Sequence, residues 1–238
     1  MKSFLFTAVL LYSLSTYSQN SSAFFNKADV FFSSYVCNGL VNYEAIENNP
    51  ESLTELIALS NTISLDDLDL ITQKAFWINL YNIITIKNVI ENYPIKSPLD
   101  VIGFFDTKKH EVGKEKLTLN DIENNKIRAK YDDARIHFVL VCAGLGCSPI
   151  KNSAYLPENL DSQLEMQTRL ALNNPKFIQL NEKRKKVAVS EIFKWYLNDF
   201  AAKESKLIDY INIYREEKIP TDYKITYYSY DWSLNKLK

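Results

Sequence analysis

The stretch 64–94, "SLDDLDLITQKAFWINLYNIITIKNVIENYP", constrains the fold more than any other part of the chain. From Gln73 to Asn92 apolar residues recur at helical spacing and cover most of the circumference. That pattern belongs to a helix enclosed on all sides, not to one lying on a surface. Pro94 ends it, because proline can neither donate to the helical ladder nor fit inside it. Asn79 and Asn82 lie three positions apart on one face of this helix. Buried amides need partners, so the pair either holds the backbone of a neighbouring segment or lines a pocket. Trp77 and Tyr81, four apart, read as core.

The remaining segments must wrap this helix. "FFNKADVFFSSYV" (24–36) is predicted helical and is ended by Asn38-Gly39. A second helix is expected over 49–60, with Pro50 in its first turn. A hairpin over 110–119 turns at Gly113, and Thr118 then caps a short helix, answered by Asp121. An amphipathic helix is expected over 157–174 and a hairpin over 177–189, whose turn carries the basic run "EKRKK". Ser190 caps "EIFKWYLNDF", a helix follows near 204–214, and "YKITYYSYDWS" alternates as a final strand. No repeat and no Gly/Ser/Pro-rich linker divides the chain. The expectation is therefore α+β: one domain in which an antiparallel sheet packs against the central buried helix and flanking helices.

The N-terminus reads separately. Lys2, the eleven-residue apolar run "FLFTAVLLYSL" and the small polar "STYSQ" have the layout of a secretory signal. The run is too short for a membrane span, which needs roughly 20 apolar residues. Cleavage is expected between Ser18 and Gln19, leaving 238 − 18 = 220 residues as one exported, periplasmic or secreted, globular domain (19–238). Lys+Arg 28 against Asp+Glu 29 becomes 27 − 29 = −2 once Lys2 is removed. Such a balance makes no electrostatic case for nucleic acid or an anionic membrane. With five glycines in all, no Gly-rich phosphate cradle is present. No cofactor and no metal is expected. The partners left are an unspecified peptide, glycan or small-molecule ligand.

"HFVLVCAGLGCSP" (137–149) carries the candidate chemistry. It reads as a buried strand that gives way to a Gly-containing loop, with Cys142 on the strand and Cys147 on the loop. Three readings stand open for Cys147: a nucleophile served by His137 and oriented by Glu123, half of a disulfide with Cys142, or an inert buried thiol. A nucleophilic thiol needs a base or aimed N–H groups to lower its pKa. Alternation along the strand puts Cys142 in the core and leaves Cys147 accessible. Reach is the difficulty. A strand from His137 to Cys142 advances about 17 Å, at ~3.3 Å per residue, and five residues must then return. His110, the other histidine, serves only if its hairpin folds over the loop.

Six blocks in order, "KAFWINLYNIITI", "YPIKS", "LTLNDIENNKIR", "RIHFVLVCAGLGCSPIKN", "SEIFKWYLNDF" and "YDWSLN", resemble a family of uncharacterised proteins, the domain of unknown function 547. The resemblance places the family's histidine at His137 and its characteristic cysteine at Cys147. Its Asp-Ile-Glu-His block meets Asp121, Ile122 and Glu123, but the fourth position here is Asn124. Ser148 also stands where the family usually has proline. The family's activity is unassigned, and the residues themselves leave two functional readings. One is an exported thiol-dependent hydrolase or acyl-transfer enzyme using Cys147, His137 and Glu123, with Asn79, Asn82 and Asn124 near the substrate. The other is a non-catalytic envelope binding module whose site decayed with the change at Asn124.

Overall fold

Helix α4, Leu70–Ile90, runs through the centre of the molecule, and fifteen of its twenty-one residues are buried. The computed structural model describes residues 20–238; the expected export signal and its cut after Ser18 lie outside them. Asp69 caps α4 by accepting from the Thr72 N–H, and the chain leaves it before Pro94. Around α4 lie α1 (20–35), α2 (Tyr43–Asn48), α3 (Glu51–Ser60) and the segment 119–131. Asn38-Gly39 does end α1, and does so as the two-residue turn of a small hairpin, β1 (Val36–Cys37) with β2 (Leu40–Val41). Both turn residues have positive φ, the geometry that suits Asn-Gly.

The architecture is α+β, as expected, with its strands in three small sheets. The hairpin at Gly113 pairs β3 (His110–Val112) with β4 (Glu115–Leu117). Thr118 and Asp121 then form a reciprocal capping box on α5 (Leu119–Asp121). The helix continues as a π-helix over Ile122–Arg128, a wide turn, before the short α6 (Ala129–Tyr131). Helix α7 (Leu160–Asn173) precedes β5 (Ile178–Asn181), which pairs antiparallel with β6 (Lys186–Ser190) around the basic turn. The last strand, β7 (Lys224–Tyr228), runs parallel to β6. A parallel pair needs a crossover, and α8 (Ile192–Trp195), α9 (Leu197–Phe200) and α10 (Leu207–Tyr214) supply it. This sheet covers a second apolar cluster, built on Phe138, Phe177, Phe193 and Phe200, beside the larger one around α4. Among the described residues no helix is long and apolar enough to cross a membrane.

The strand expected at 137–142 is absent. Ala134–Phe138 is a 3₁₀ turn, and the chain then runs irregularly to Ala143. Apolar composition did not produce a ladder here because the segment crosses between the two cores: Phe138 enters one, Val139, Leu140 and Val141 the other. Its backbone is paired by Asn82 instead, whose amide donates to Val139 O and accepts from Val141 N, both at 2.9 Å. Asn79 does the same for Tyr155, donating to its carbonyl at 2.7 Å and accepting from its N–H at 2.9 Å. The two asparagines therefore clamp irregular backbone onto α4, and neither lines the large pocket described below. Replacing Asn79 with leucine strands both Tyr155 groups in the core. We expect a loss of about 2–3 kcal/mol, read as a lowered denaturant midpoint with an unchanged slope; an unaltered midpoint would show that Tyr155 finds other partners.

Candidate active site

The loop after Ala143 is held by the end of the chain. Leu145 N–H donates to Ser233 O, Gly146 N–H to Asp231 O, and Asn235 N–H to Ala143 O, each within 2.9 Å. The same tail reaches the 96–105 segment through Leu234 N–H to Lys96 O and the first hairpin through Val41 N–H to Asn235 O. This clasp brings Tyr230 over the loop. A β-carbon at Gly146 would lie 2.9 Å from both Cδ atoms of the Tyr230 ring and 2.9 Å from Asp231 N. Glycine is thus required for close approach, not for a reversed φ; the residue with positive φ in this loop is Ala143, at +63°. An alanine held there costs roughly 1–2 kcal/mol, strain stored directly between the two cysteines.

Under Tyr230 the two sulfurs meet. Cys142 Sγ and Cys147 Sγ are 2.6 Å apart, and the Tyr230 hydroxyl is 2.9 Å from the first and 2.8 Å from the second. The Cys142 N–H donates to Cys147 Sγ at 3.0 Å. Burial alone would raise the Cys147 thiol, but hydrogen bonds from the Cys142 thiol, the Tyr230 hydroxyl and the Cys142 and Gly144 backbone outweigh it and lower its pKa. The hydrogen bond to Cys147 and then burial push Cys142 well above the ordinary thiol value. Burial, with the neighbouring sulfurs, likewise keeps Tyr230 protonated. The pair is asymmetric: its surroundings ease ionisation of Cys147 and oppose that of Cys142. Both are partly exposed, so the expectation that Cys142 is core is corrected; without a strand there is no alternation to turn it inward.

Cys142 and Cys147 both line a pocket of about 560 Å³. Its walls are the 98–106 segment, Trp195 and Tyr196 at the α8–α9 junction, and Trp232 on the tail. Trp195, Tyr230 and Trp232 pack on one another, with ring centroids 4.7–6.1 Å apart. Leu99 and Ile102 stand exposed among the pocket residues.

The structure places His137 in the same pocket, without a hydrogen bond to Cys147. Its Nε2 is 2.7 Å from the Asp199 carboxylate, and its ring stacks against Tyr196 at 4.1 Å. Arg128, from the end of the π-helix, grips both oxygens of Asp199 with two hydrogen bonds, Nε to Oδ2 (shared with His137) at 2.7 Å and Nη2 to Oδ1 at 2.9 Å. Hydrogen bonds from His137 and Arg128 hold the Asp199 carboxyl well below the usual carboxylate range. Glu123 also lines the pocket, but it meets Tyr81, whose hydroxyl donates to it at 3.4 Å, and Tyr196. The group that orients His137 is Asp199, not Glu123. Asn124 lies outside the pocket, donating to Asn120 O and accepting from Arg128 at 2.5 Å. His110 is remote from it too: it sits in the β3–β4 hairpin, where burial and then Lys87 and Lys108 lower its pKa to about 4.

Among the described residues no group of three or more His, Cys, Asp or Glu is placed to hold a metal ion. Sequence reasoning missed Asp199, Tyr230, Trp195 and Trp232. All four lie in the blocks "SEIFKWYLNDF" and "YDWSLN", which read locally as only a helix and a strand end.

The fold and site define an α+β protein with a paired-thiol pocket and, on its wall, a His137 held from behind by Asp199 and Arg128. Residues 65–170 match the family described as "Protein of unknown function, DUF547", which supports membership of that uncharacterised family. The matched segment contains α4, the π-helix, His137 and both pocket cysteines; Asp199 and Tyr230 lie beyond it. No curated protein and no solved structure matches the chain.

Proposed function

We propose that the protein is an exported thiol-dependent hydrolase or acyl-transfer enzyme in which Cys147 is the nucleophile. The observation that carries this reading is the Cys147 sulfur, open to an aromatic-walled pocket and surrounded by hydrogen-bond donors that lower its pKa. Such a thiolate attacks an acyl carbon. The Cys147 proton passes to His137, either through a bridging water or after a small side-chain movement, since no direct hydrogen bond joins them. As the acyl–heteroatom bond breaks, His137 returns that proton to the leaving group. A water or an acceptor nucleophile then releases the thioester. Asp199 keeps the His137 ring oriented, which replaces the role expected of Glu123. Tryptophan and tyrosine rings on the walls favour an apolar or aromatic acyl group.

The alternative, a binding module decayed at Asn124, loses its motivation because Asn124 does not line the pocket. A brief iodoacetamide pulse on reduced, native protein near pH 7, followed by peptide mapping, tests the nucleophile. Cys147 should label ahead of Cys37, which is exposed and serves as the internal standard. A p-nitrophenyl ester should then leave its acyl group on Cys147. Labelling only after unfolding means an inert thiol and ends the catalytic reading.

Export rests on the first eighteen residues. N-terminal sequencing of protein secreted by the native host should begin at or near Gln19; an intact Met1 in the soluble cytoplasm would refute it.

A further inference from the structure

We propose that Cys142 and Cys147 also act as a dithiol pair that reduces small neutral or cationic organic disulfides, with Cys147 attacking and Cys142 resolving. This inference rests on Cys147 being the reactive thiol of the reading above, but it assigns a second chemistry to the pocket and a bond-forming role to Cys142, which in acyl transfer only supports Cys147 by hydrogen bonds.

Three observations support it. The sulfurs are 2.6 Å apart, nearer than unbonded sulfurs ordinarily sit, so a bond between them requires little movement of either residue. Backbone hydrogen bonds from Leu145 and Gly146 to the tail, and from Asn235 of the tail to Ala143 O, hold the loop closed, and none of them uses a thiol. The loop can therefore keep its shape whether the pair is reduced or oxidised. The Tyr230 hydroxyl touches both sulfurs, which places a proton relay between the attacking and the resolving group.

The exchange balances. The Cys147 thiolate attacks one sulfur of R–S–S–R; that S–S bond breaks, a mixed disulfide forms on Cys147, and the first R–S⁻ leaves. The proton that Cys147 lost in forming its thiolate ends on this first thiol. Cys142 then gives its proton to the Tyr230 oxygen while Tyr230 passes its own to the second leaving thiolate. The Cys142 sulfur attacks Cys147 Sγ, the mixed disulfide breaks, and the Cys142–Cys147 bond forms. One disulfide is reduced to two thiols and one dithiol is oxidised; an external dithiol returns the pair to its starting state.

The charge of the lining sets the substrate class. Asp106 and Glu123 are carboxylates facing the pocket, and no lysine or arginine is among its lining residues. Anionic disulfides are repelled, while neutral and cationic ones are admitted to the aromatic walls.

The test treats reduced protein with cystamine, which is cationic, or dithiodiglycolate, which is anionic, near neutral pH, followed by an acid quench and peptide mass mapping. Wild type should give a Cys142–Cys147 crosslink with two hydrogens lost and no lasting adduct on Cys147. Cystamine should react about tenfold faster or more than dithiodiglycolate, the range expected of electrostatic selection. Cys142→Ser should trap the cysteamine adduct on Cys147. The inference is overturned if wild-type Cys147 keeps its adduct, or if the pair stays reduced while exposed Cys37 reacts. The wild-type result decides the matter even if Cys142→Ser does not fold. Cys147 that is still alkylated by iodoacetamide and acylated by the ester, yet gives no crosslink, sinks the exchange and leaves the acyl-transfer reading standing. Cys147 inert to all three reagents sinks both.

Discussion

Gly146→Ala should slow alkylation of Cys147 near pH 7 by about tenfold to a hundredfold and lower stability by about 2–4 kcal/mol. The new β-carbon would sit 2.9 Å from the Tyr230 ring and from Asp231 N, closer than carbon atoms pack. The ring cannot slide aside, because Trp195 and Trp232 flank it at 5.2 and 4.7 Å. The tail must therefore lift, and the Gly146–Asp231 backbone bond goes with it. Overpacking of this kind costs about 1–3 kcal/mol, and the lost backbone bond adds about 1 kcal/mol. Lifting Tyr230 removes a hydroxyl donor from Cys147. A hydrogen bond to a charged group is worth about 1.5–3 kcal/mol, so its loss raises the thiol pKa and cuts the thiolate population by about tenfold to a hundredfold. Tyr230→Phe separates the two effects. It keeps the ring and removes only the hydroxyl, so the rate should fall similarly while the thermal midpoint moves little. Full reactivity in both variants would show that the Cys142 thiol and the backbone N–H groups stabilise the thiolate without Tyr230.

Much of the fold was legible because it rests on short-range rules. The all-round apolar character of 73–92 announced α4, the Thr118 and Asp121 pair announced the cap of α5, and both hairpins followed from their turns. The segment 137–142 was misread because a run of β-formers says only that residues are buried. What decided its shape was Asn82, more than fifty residues away, offering the hydrogen bonds that a neighbouring strand would have made. The parallel placement of β7 was hidden for the same reason: direction in a sheet belongs to the connection, not to the strand. At the site, sequence located Cys147 and His137 but gave the orienting role to Glu123, whereas the carboxylate bonded to His137 is Asp199. Glu123 lies fourteen positions before His137, and Asp199 sixty-two after it. The nearer carboxylate was chosen, and the fold used the distant one. Tyr230 was beyond local reasoning altogether, since the two glycines that admit it carry no mark of what they admit.

Asp199→Asn should lower turnover of a p-nitrophenyl ester by roughly 10²–10⁴-fold, the scale on which a histidine loses its function when its carboxylate partner is replaced by an amide. The carboxylate only accepts, so it fixes the proton on His137 Nε2 and leaves the other ring nitrogen to exchange protons with substrate. An amide presents both a donor and an acceptor and no longer chooses between the tautomers. Arg128 keeps its stacking on Tyr196, at 4.8 Å, but its two hydrogen bonds to Asp199 weaken. A stability loss of about 1–3 kcal/mol should follow from replacing an ionised acceptor by a neutral one. The pH dependence carries the same signature. Hydrogen bonds from His137 and then Arg128 hold the folded-state pKa of Asp199 below that of the unfolded chain. Its contribution to stability is therefore complete above the ordinary aspartate value of about 4 and disappears as pH falls through the depressed folded value. Wild type should lose stability on acidification below about pH 4 more steeply than Asp199→Asn, the two denaturant midpoints converging as the acid limit is approached. Parallel midpoints over that range would mean that Asp199 is not held ionised by His137 and Arg128. Unchanged ester turnover would remove His137 from the reaction, and thiol chemistry at Cys147 would then run on Tyr230 and the backbone N–H groups alone.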